Sequence, residues 1–449
     1  MRALIWLLLG LSFQIFAQNS YFPKTLNMRE RAEVIDGWLE LRAQTVLPQL
    51  MERTGIDMWV IIAREYNEDP VIKTMLPATW QSARRTTMLL IYNPGDGKPL
   101  ETMAMARYDV GKLFKKVWDK EKQPDQWKAL ADLIAEKNPQ KIGINKSAMF
   151  ALADGISAYH HDQLMASLSP KLQKRVVSAE MLAVGWLETR TEAEMVVYQN
   201  IVRIAHQIIA EGLSEKVIQP GVTTTNDVVW WYRDRISEMG FVAWFHPTVA
   251  IQRKDPESQE HQRSFSSRPE NQVILPGDLL HVDFGITYLR LNTDTQQHAY
   301  VLKRGEKEVP DYLKMAFKDG NRLQDVFTDN FKTGRTGNEI LKMTLEEAKA
   351  EGLKPWIYTH PIGYHGHAAG PTIGLWDQQG GVPGAGDYPL YPNTAYSIEL
   401  NNSIYLKEWG KEIRIMLEEE AFFDGEKVIY IDGRQTSLMT IPRVLVPNE

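Results

Sequence analysis

Three acidic residues stand inside apolar, strand-like runs in the C-terminal half of this chain and a fourth follows the first of them at hairpin spacing, and their placement restricts the fold more than any other feature. The run Leu279-Leu280-His281-Val282-Asp283-Phe284-Gly285 follows the turn signal Pro276-Gly277-Asp278 and reads as a buried strand ending on a carboxylate and a glycine. Asp294 lies eleven residues further on, after a stretch rich in β-formers, so a hairpin turning near residues 288 and 289 brings both aspartates onto neighbouring strands. Two later strands, over residues 394–400 and 413–423, insert Glu399 and Glu418 into apolar runs. A carboxylate buried without a partner costs several kcal/mol or raises its pKa until it is neutral. A cation shared among the four removes that penalty. Of the acids beside Glu418, Glu419 reads as a solvated surface residue, whereas alternation points Glu420 to the same face as Glu418 and leaves it a competitor.

The segment Thr359-His360-Pro361-Ile362-Gly363-Tyr364-His365-Gly366-His367-Ala368-Ala369-Gly370 holds three of the chain's ten histidines. Neutral imidazole is the commonest nitrogen ligand for metals, and the small residues around His367 allow close backbone approach. Composition does not choose among the three, and at least one is expected to be a hydrogen-bonded structural histidine.

The order Asp283, Asp294, His367, Glu399, Glu418 with these flanks resembles the pita-bread metallopeptidase family, which includes methionine aminopeptidase, aminopeptidase P, prolidase and the metal-free creatinase. The matching elements are Asp283 with Gly285, Asp294 eleven residues later, Gly366-His367-Ala368-Ala369-Gly370, Glu399 in a strand, and Glu418 followed by an acid and an apolar run. The likeness extends upstream to residues 186–194. There are departures. Arg290-Leu291 stands where the family usually has Gly-Tyr, and Gln297 where it has Arg. Gly374 occupies the position seven residues past the metal histidine where a second histidine is usual, unless an insertion brings Asp377 there. Gly363 stands four before His367, where the family often has a histidine, with His360 and His365 nearby, and Leu400-Asn401 follows Glu399 in place of Pro-Gly.

The resemblance implies an α/β, creatinase-like N-terminal domain followed by an α+β pita-bread domain with a curved antiparallel sheet. It also implies two divalent metal ions. Asp294 and Glu418 should bridge them, Asp283 should chelate one, and His367 with Glu399 should hold the other. Glu399 should also carry the proton from water to the leaving nitrogen, with His360, His365 or His261 steadying the tetrahedral intermediate. A set of mostly oxygen donors with one nitrogen suits Mn, Co, Zn or Fe, with Mn ranked first. The implied activity is an aminopeptidase or dipeptidase acting at Xaa-Pro bonds. The altered residues keep open a small-molecule lyase or an amidino or ring-opening hydrolase, and a catalytically dead binding module is a third class.

A chain of 449 residues exceeds what one core usually supports, and 43% hydrophobic content is ordinary for a globular enzyme. The expected division is a signal peptide over 1–17, the N-terminal domain over 18–187 and the metallohydrolase domain over 188–449. A basic start, a short apolar run and a small residue near Ala17 predict export to the periplasm or beyond, with no membrane attachment after cleavage. The absence of cysteine leaves the fold standing on its core. A net charge of −6 argues against nucleic acid; the partners that the resemblance implies are a peptide or small-molecule substrate and a second copy of the chain in a dimer. Helices are expected over 28–51, 125–136 and 191–216. The polar stretch 252–272, with His261, and the Gly/Pro-rich loop 378–393 are candidate site walls, and His246 is the rival to His261.

Overall fold

The computed structural model describes residues 24–254 and 271–443, so the expected signal segment and His261 lie outside the described residues. Helix Met28–Thr54 opens on a capping box. The Asn27 side chain accepts from the Arg29 and Glu30 backbone N–H groups while the Glu30 carboxylate accepts from the Asn27 N–H, and the helix ends at Gly55 in the left-handed region. Beside it lies a six-stranded mixed sheet whose central strand, Met58–Arg64, pairs antiparallel with Thr86–Tyr92 and parallel with Ile142–Ile144. Residues 58–63 are all buried because both faces of that strand are covered: Trp59 and Ile61 join one core, Met58, Val60 and Ile62 another.

The second sheet has nine strands and is almost wholly antiparallel. Its backbone is a long hairpin, Thr394–Leu406 with Lys411–Phe423, in which Glu399 sits directly opposite Glu418. Strand Thr295–Val301 lies between this hairpin and strand Leu279–Phe284, with Gln296 opposite both Asp283 and Glu418. Helices Glu192–Gly212 and Thr225–Glu238 contribute to one core on this sheet, and helices Asp311–Asp329 and Gly337–Ala350 to the other. The helix expected over 191–216 stops at Gly212, and Ser214 forms a turn instead, donating to the Glu211 carbonyl and accepting from the Lys216 N–H. Tyr198, Val202, Ala205 and Ile209, at helical spacing, are buried on one face of it, and Met195 is half-buried.

The turn between the two aspartates falls at Leu289 and Arg290, one residue later than the expected hairpin, both with positive φ (55° and 65°). This two-residue loop with left-handed backbone matches the right-handed twist of the strands it joins. Among the described residues no helix is long and apolar enough to cross a membrane.

Candidate metal centre

Strand pairing alone assembles the carboxylates. Asp283 is the penultimate residue of strand Leu279–Phe284, Asp294 immediately precedes Thr295–Val301, and Glu418 and Glu399 face each other on the next two strands, so four acids from four neighbouring segments share one face. Gly285 is required by close approach: a Cβ there would collide with the Thr293 carbonyl and the Trp244 ring, which itself donates Nε1–H to Thr293 O at 2.8 Å. Oxygen atoms of Asp283, Asp294 and Glu418 fall within 4.8 Å of one another, as do ligand atoms of His360, Glu399 and Glu418, and of Asp294, His360 and His367.

The electrostatics are those of a cluster built for cations. Burial pushes the Asp294 carboxyl well above the usual range, and the charges of Glu418, Asp283 and Glu399 push it further. Burial does the same to Glu418, with Asp283 adding to it, and to Glu399, with Glu418 and Asp283 adding to it. Without cations these acids cannot all ionise; a pair of divalent ions balances the four charges.

His360 occupies the middle of this arrangement. It lies on a short strand opposite Ser397, and its Nε2 is 3.7 Å from Asp294 Oδ2, 3.7 Å from Glu418 Oε1 and 4.0 Å from Glu399 Oε2. Its Nδ1–H donates to the Pro361 carbonyl at 3.0 Å, which fixes the tautomer and leaves Nε2 a bare lone pair. That buried Nε2 has no hydrogen-bond partner among the described residues. Burial, then the neighbouring His367, holds the His360 imidazole neutral, with its pKa down at about 3. The residues therefore fit divalent cations: four carboxylates and one neutral imidazole whose free nitrogen faces three of them.

His367 stands at the rim. Its side chain is 74% exposed, its Nε2 is 3.9 Å from Asp294 Oδ2, and its ring packs edge-on against His360 and Trp244. His365 does not join the cluster; it sits near Lys73 and Arg190, and burial lowers its pKa to about 4. His246 is likewise elsewhere, against Arg233 at 3.1 Å and the Trp230 ring.

The expectation of a solvated Glu419 is corrected by the structure. Glu419 is fully buried, accepting from Gln297 Nε2 and the Gln435 N–H at 2.9 Å and pairing with His206 Nε2 at 2.7 Å. Burial opposes charge on His206, but Glu419 and Asp432 overcome it and raise its pKa to about 10, so the pair is ionic. Glu420 does not compete for the cluster's centre; it accepts from the Asp294 N–H and from Thr295 Oγ1, anchoring the backbone that carries Asp294. Two departures from the family pattern acquire structural reasons. Arg290 donates to the carbonyls of Thr74, Leu76 and Pro77, and Gln297 serves Glu419. The loop over 378–393 packs on helix Gly337–Ala350 through Asn338, which bonds Val382 and Asp387.

Two residues that the motif reading passes over belong to the site: His281 and Gln296, each two positions from an aspartate and so on its face of the sheet. Period-2 alternation was the signal that would have found them.

Residues 198–419 match the model of metallopeptidase family M24. The sequence matches no curated protein. In structure the chain is similar to the X-Pro aminopeptidase of Thermotoga maritima MSB8, at 18% identity and a TM-score of 0.61, with 87% of this chain and 99% of that chain covered. It is also similar to the Xaa-Pro dipeptidase of Bacillus anthracis (18% identity, TM-score 0.55, 92% and 100% covered) and to the prolidase of Pyrococcus horikoshii OT3 (15%, 0.56, 91% and 100%). Identities this low establish a shared fold. With the family match over 198–419 and the sheet that gathers the four acids, that part of the chain belongs to the pita-bread metallopeptidase family M24.

Proposed function

We propose that this protein is an exported, dinuclear-metal hydrolase that cleaves Xaa-Pro bonds, as an aminopeptidase or a dipeptidase. The observation that carries the reading is the bare Nε2 of His360 facing Asp294, Glu399 and Glu418, with Asp283 completing a set of four acids. In this reading Asp283, Asp294 and Glu418 would hold one ion, and His360, Glu399, Asp294 and Glu418 the other. The metals, Mn first, supply an acidified water and a Lewis acid for the scissile carbonyl.

With His360 as the ligand, the histidine that the family carries seven residues later is His367, and the apparent loss at Gly374 disappears. Gly374 has its own reason to be glycine: positive φ and the Ile357 carbonyl where a Cβ would stand. His367, exposed and braced by Trp244, is then the residue that reaches the substrate carbonyl, while Glu399 takes the proton from water and returns it to the leaving nitrogen. A peptide substrate is favoured over a small non-peptide molecule because Arg290 and Gln297, the departures that kept the latter open, are engaged in structural contacts. Export rests on the N-terminal 17 residues, and a dimer on the family resemblance.

The test is metal analysis of the purified protein followed by assay of the Mn-loaded form on Xaa-Pro dipeptides and longer Xaa-Pro peptides. About two ions per chain with Xaa-Pro cleavage is the expected result. Bound metal with no cleavage of either peptide class would overturn the substrate assignment, and failure to bind metal would overturn the reading as a whole.

A further inference from the structure

Gln296 is buried on the floor of the acid cluster, opposite Glu418 on one side and Asp283 on the other. Its Nε2 donates to Glu399 Oε1 and, at 2.6 Å, to Glu418 Oε2. Its Oε1 lies 2.8 Å from His281 Nε2, itself buried. The orientation of this amide is dictated by chemistry. Turned over, it would set its carbonyl oxygen against two carboxylate oxygens, whereas in the observed sense both glutamates receive a donor and the amide oxygen accepts from His281 Nε2–H.

The atoms it takes are informative. The amide holds Oε1 of Glu399 and Oε2 of Glu418, while the other oxygen of each glutamate, Oε2 and Oε1 respectively, is the one nearest His360 Nε2. Ser397 Oγ donates to that same Glu418 Oε1 at 2.6 Å, which fixes the carboxylate from its second side. A donor that grips the far oxygens and leaves the near ones converging on a bare imidazole nitrogen organises a ligand set without occupying it.

We propose that Gln296, aimed by His281, is the positioning residue of the metal centre: it presents Glu399 and Glu418 to the ion that His360 helps to hold. This rests on the metallohydrolase reading and assigns that site a supporting pair, His281 and Gln296. Groups that orient metal ligands in this way are worth about 10–100-fold in metal affinity.

The experiment uses the full chain, stripped with chelator, titrated calorimetrically with Mn(II) and separately reconstituted with Co(II) for its visible absorption. Gln296→Met keeps the length of the side chain and removes the donor; His281→Leu keeps the amide and removes what aims it. Gln296→Met is expected to bind the His360-side ion about 10–100-fold more weakly and to shift the Co(II) bands, with His281→Leu moving both in the same direction by less. A residue that merely filled space would alter the unfolding midpoint and leave the Co(II) spectrum as in wild type, and that result overturns the proposal, as does tighter binding by Gln296→Met, which would make the amide a competitor. Should Gln296→Met not fold, His281→Leu decides by the same two readouts. If wild type and variants bind ions equally, only the role of Gln296 falls; if wild type binds none, the metal centre falls with it.

Discussion

In the proposed function two histidines seven residues apart divide the work of the site. His360 is buried, its Nδ1 engaged by a carbonyl and its Nε2 left bare among three acids; His367 is exposed, its ring braced on Trp244. Removing an inner ligand and removing a rim contact have different signatures. His360→Ala should lose one of the two ions, read by metal analysis after dialysis, whereas His367→Ala should keep both and lose turnover by about 100–10,000-fold, the range for a positioned acid–base or polar catalytic group. Metal loss in His367→Ala with full retention in His360→Ala would reverse the assignment. The clustering of the four acids was legible because Asp283, Glu399 and Glu418 stand in apolar runs, where burial makes a lone carboxylate expensive, and Asp294 follows Asp283 at the spacing of a hairpin. The role of each histidine was not, because the Gly366 to Gly370 spacing points to His367 while the seven-residue interval points to His360, and only the fold shows that His360 is the one buried among three of the acids.

The hairpin between Asp283 and Asp294 shows how an element accepts a local cost. Leu289 and Arg290 both adopt positive φ, and an L-residue in that region costs roughly 1–2 kcal/mol. Arg290 offsets this through its guanidinium, which donates to Leu76 O at 2.9 Å and, more weakly, to Thr74 O and Pro77 O, the carbonyls at the end of helix Pro70–Met75. Arg290→Ala forfeits those bonds and keeps the strain; Arg290→Gly forfeits them and relieves it. The glycine variant should therefore be more stable than the alanine variant by about 1 kcal/mol, with both below wild type, in urea denaturation. Equal stability of the two would mean that the turn carries no strain. The sequence showed the hairpin but not this tie, because its partners are backbone carbonyls some 214 residues earlier. Glu419 was misjudged for the same reason: its cation, His206, lies on a helix 213 residues upstream. Alternation reports which face a side chain takes, not what waits there.

At the scale of the whole molecule, segments from both halves of the chain meet around a buried carboxyl group with too little compensation to stay charged. Glu188 ends helix Glu180–Glu188, accepts from Tyr388 Oη at 2.8 Å, and lies 3.7 Å from Arg53 of helix Met28–Thr54, so it joins segments from both halves of the chain. Burial raises its pKa to about 8, against the pull of the Tyr388 hydrogen bond and of Arg53 and Arg190. The folded protein thus holds this proton more tightly than the unfolded chain, whose carboxyl titrates near 4.5. Stability from this group is present below pH 4.5 and falls as pH rises from 4.5 to about 8, where the buried carboxyl must ionise or the fold must open. The acids of the metal centre move in the same sense, so the measurement belongs on metal-loaded protein and on the difference between wild type and one variant. Glu188→Gln keeps the shape and the acceptor for Tyr388 and removes the titration. It should match wild type near pH 5 and exceed it at pH 8 by on the order of 2 kcal/mol, because each tenfold gain in proton affinity is about 1.36 kcal/mol and relaxation of the site takes back part of the total. A difference that stays flat across this range would mean that Glu188 is ionised in the folded state, and that Arg53 and Arg190 hold the junction as an ion pair.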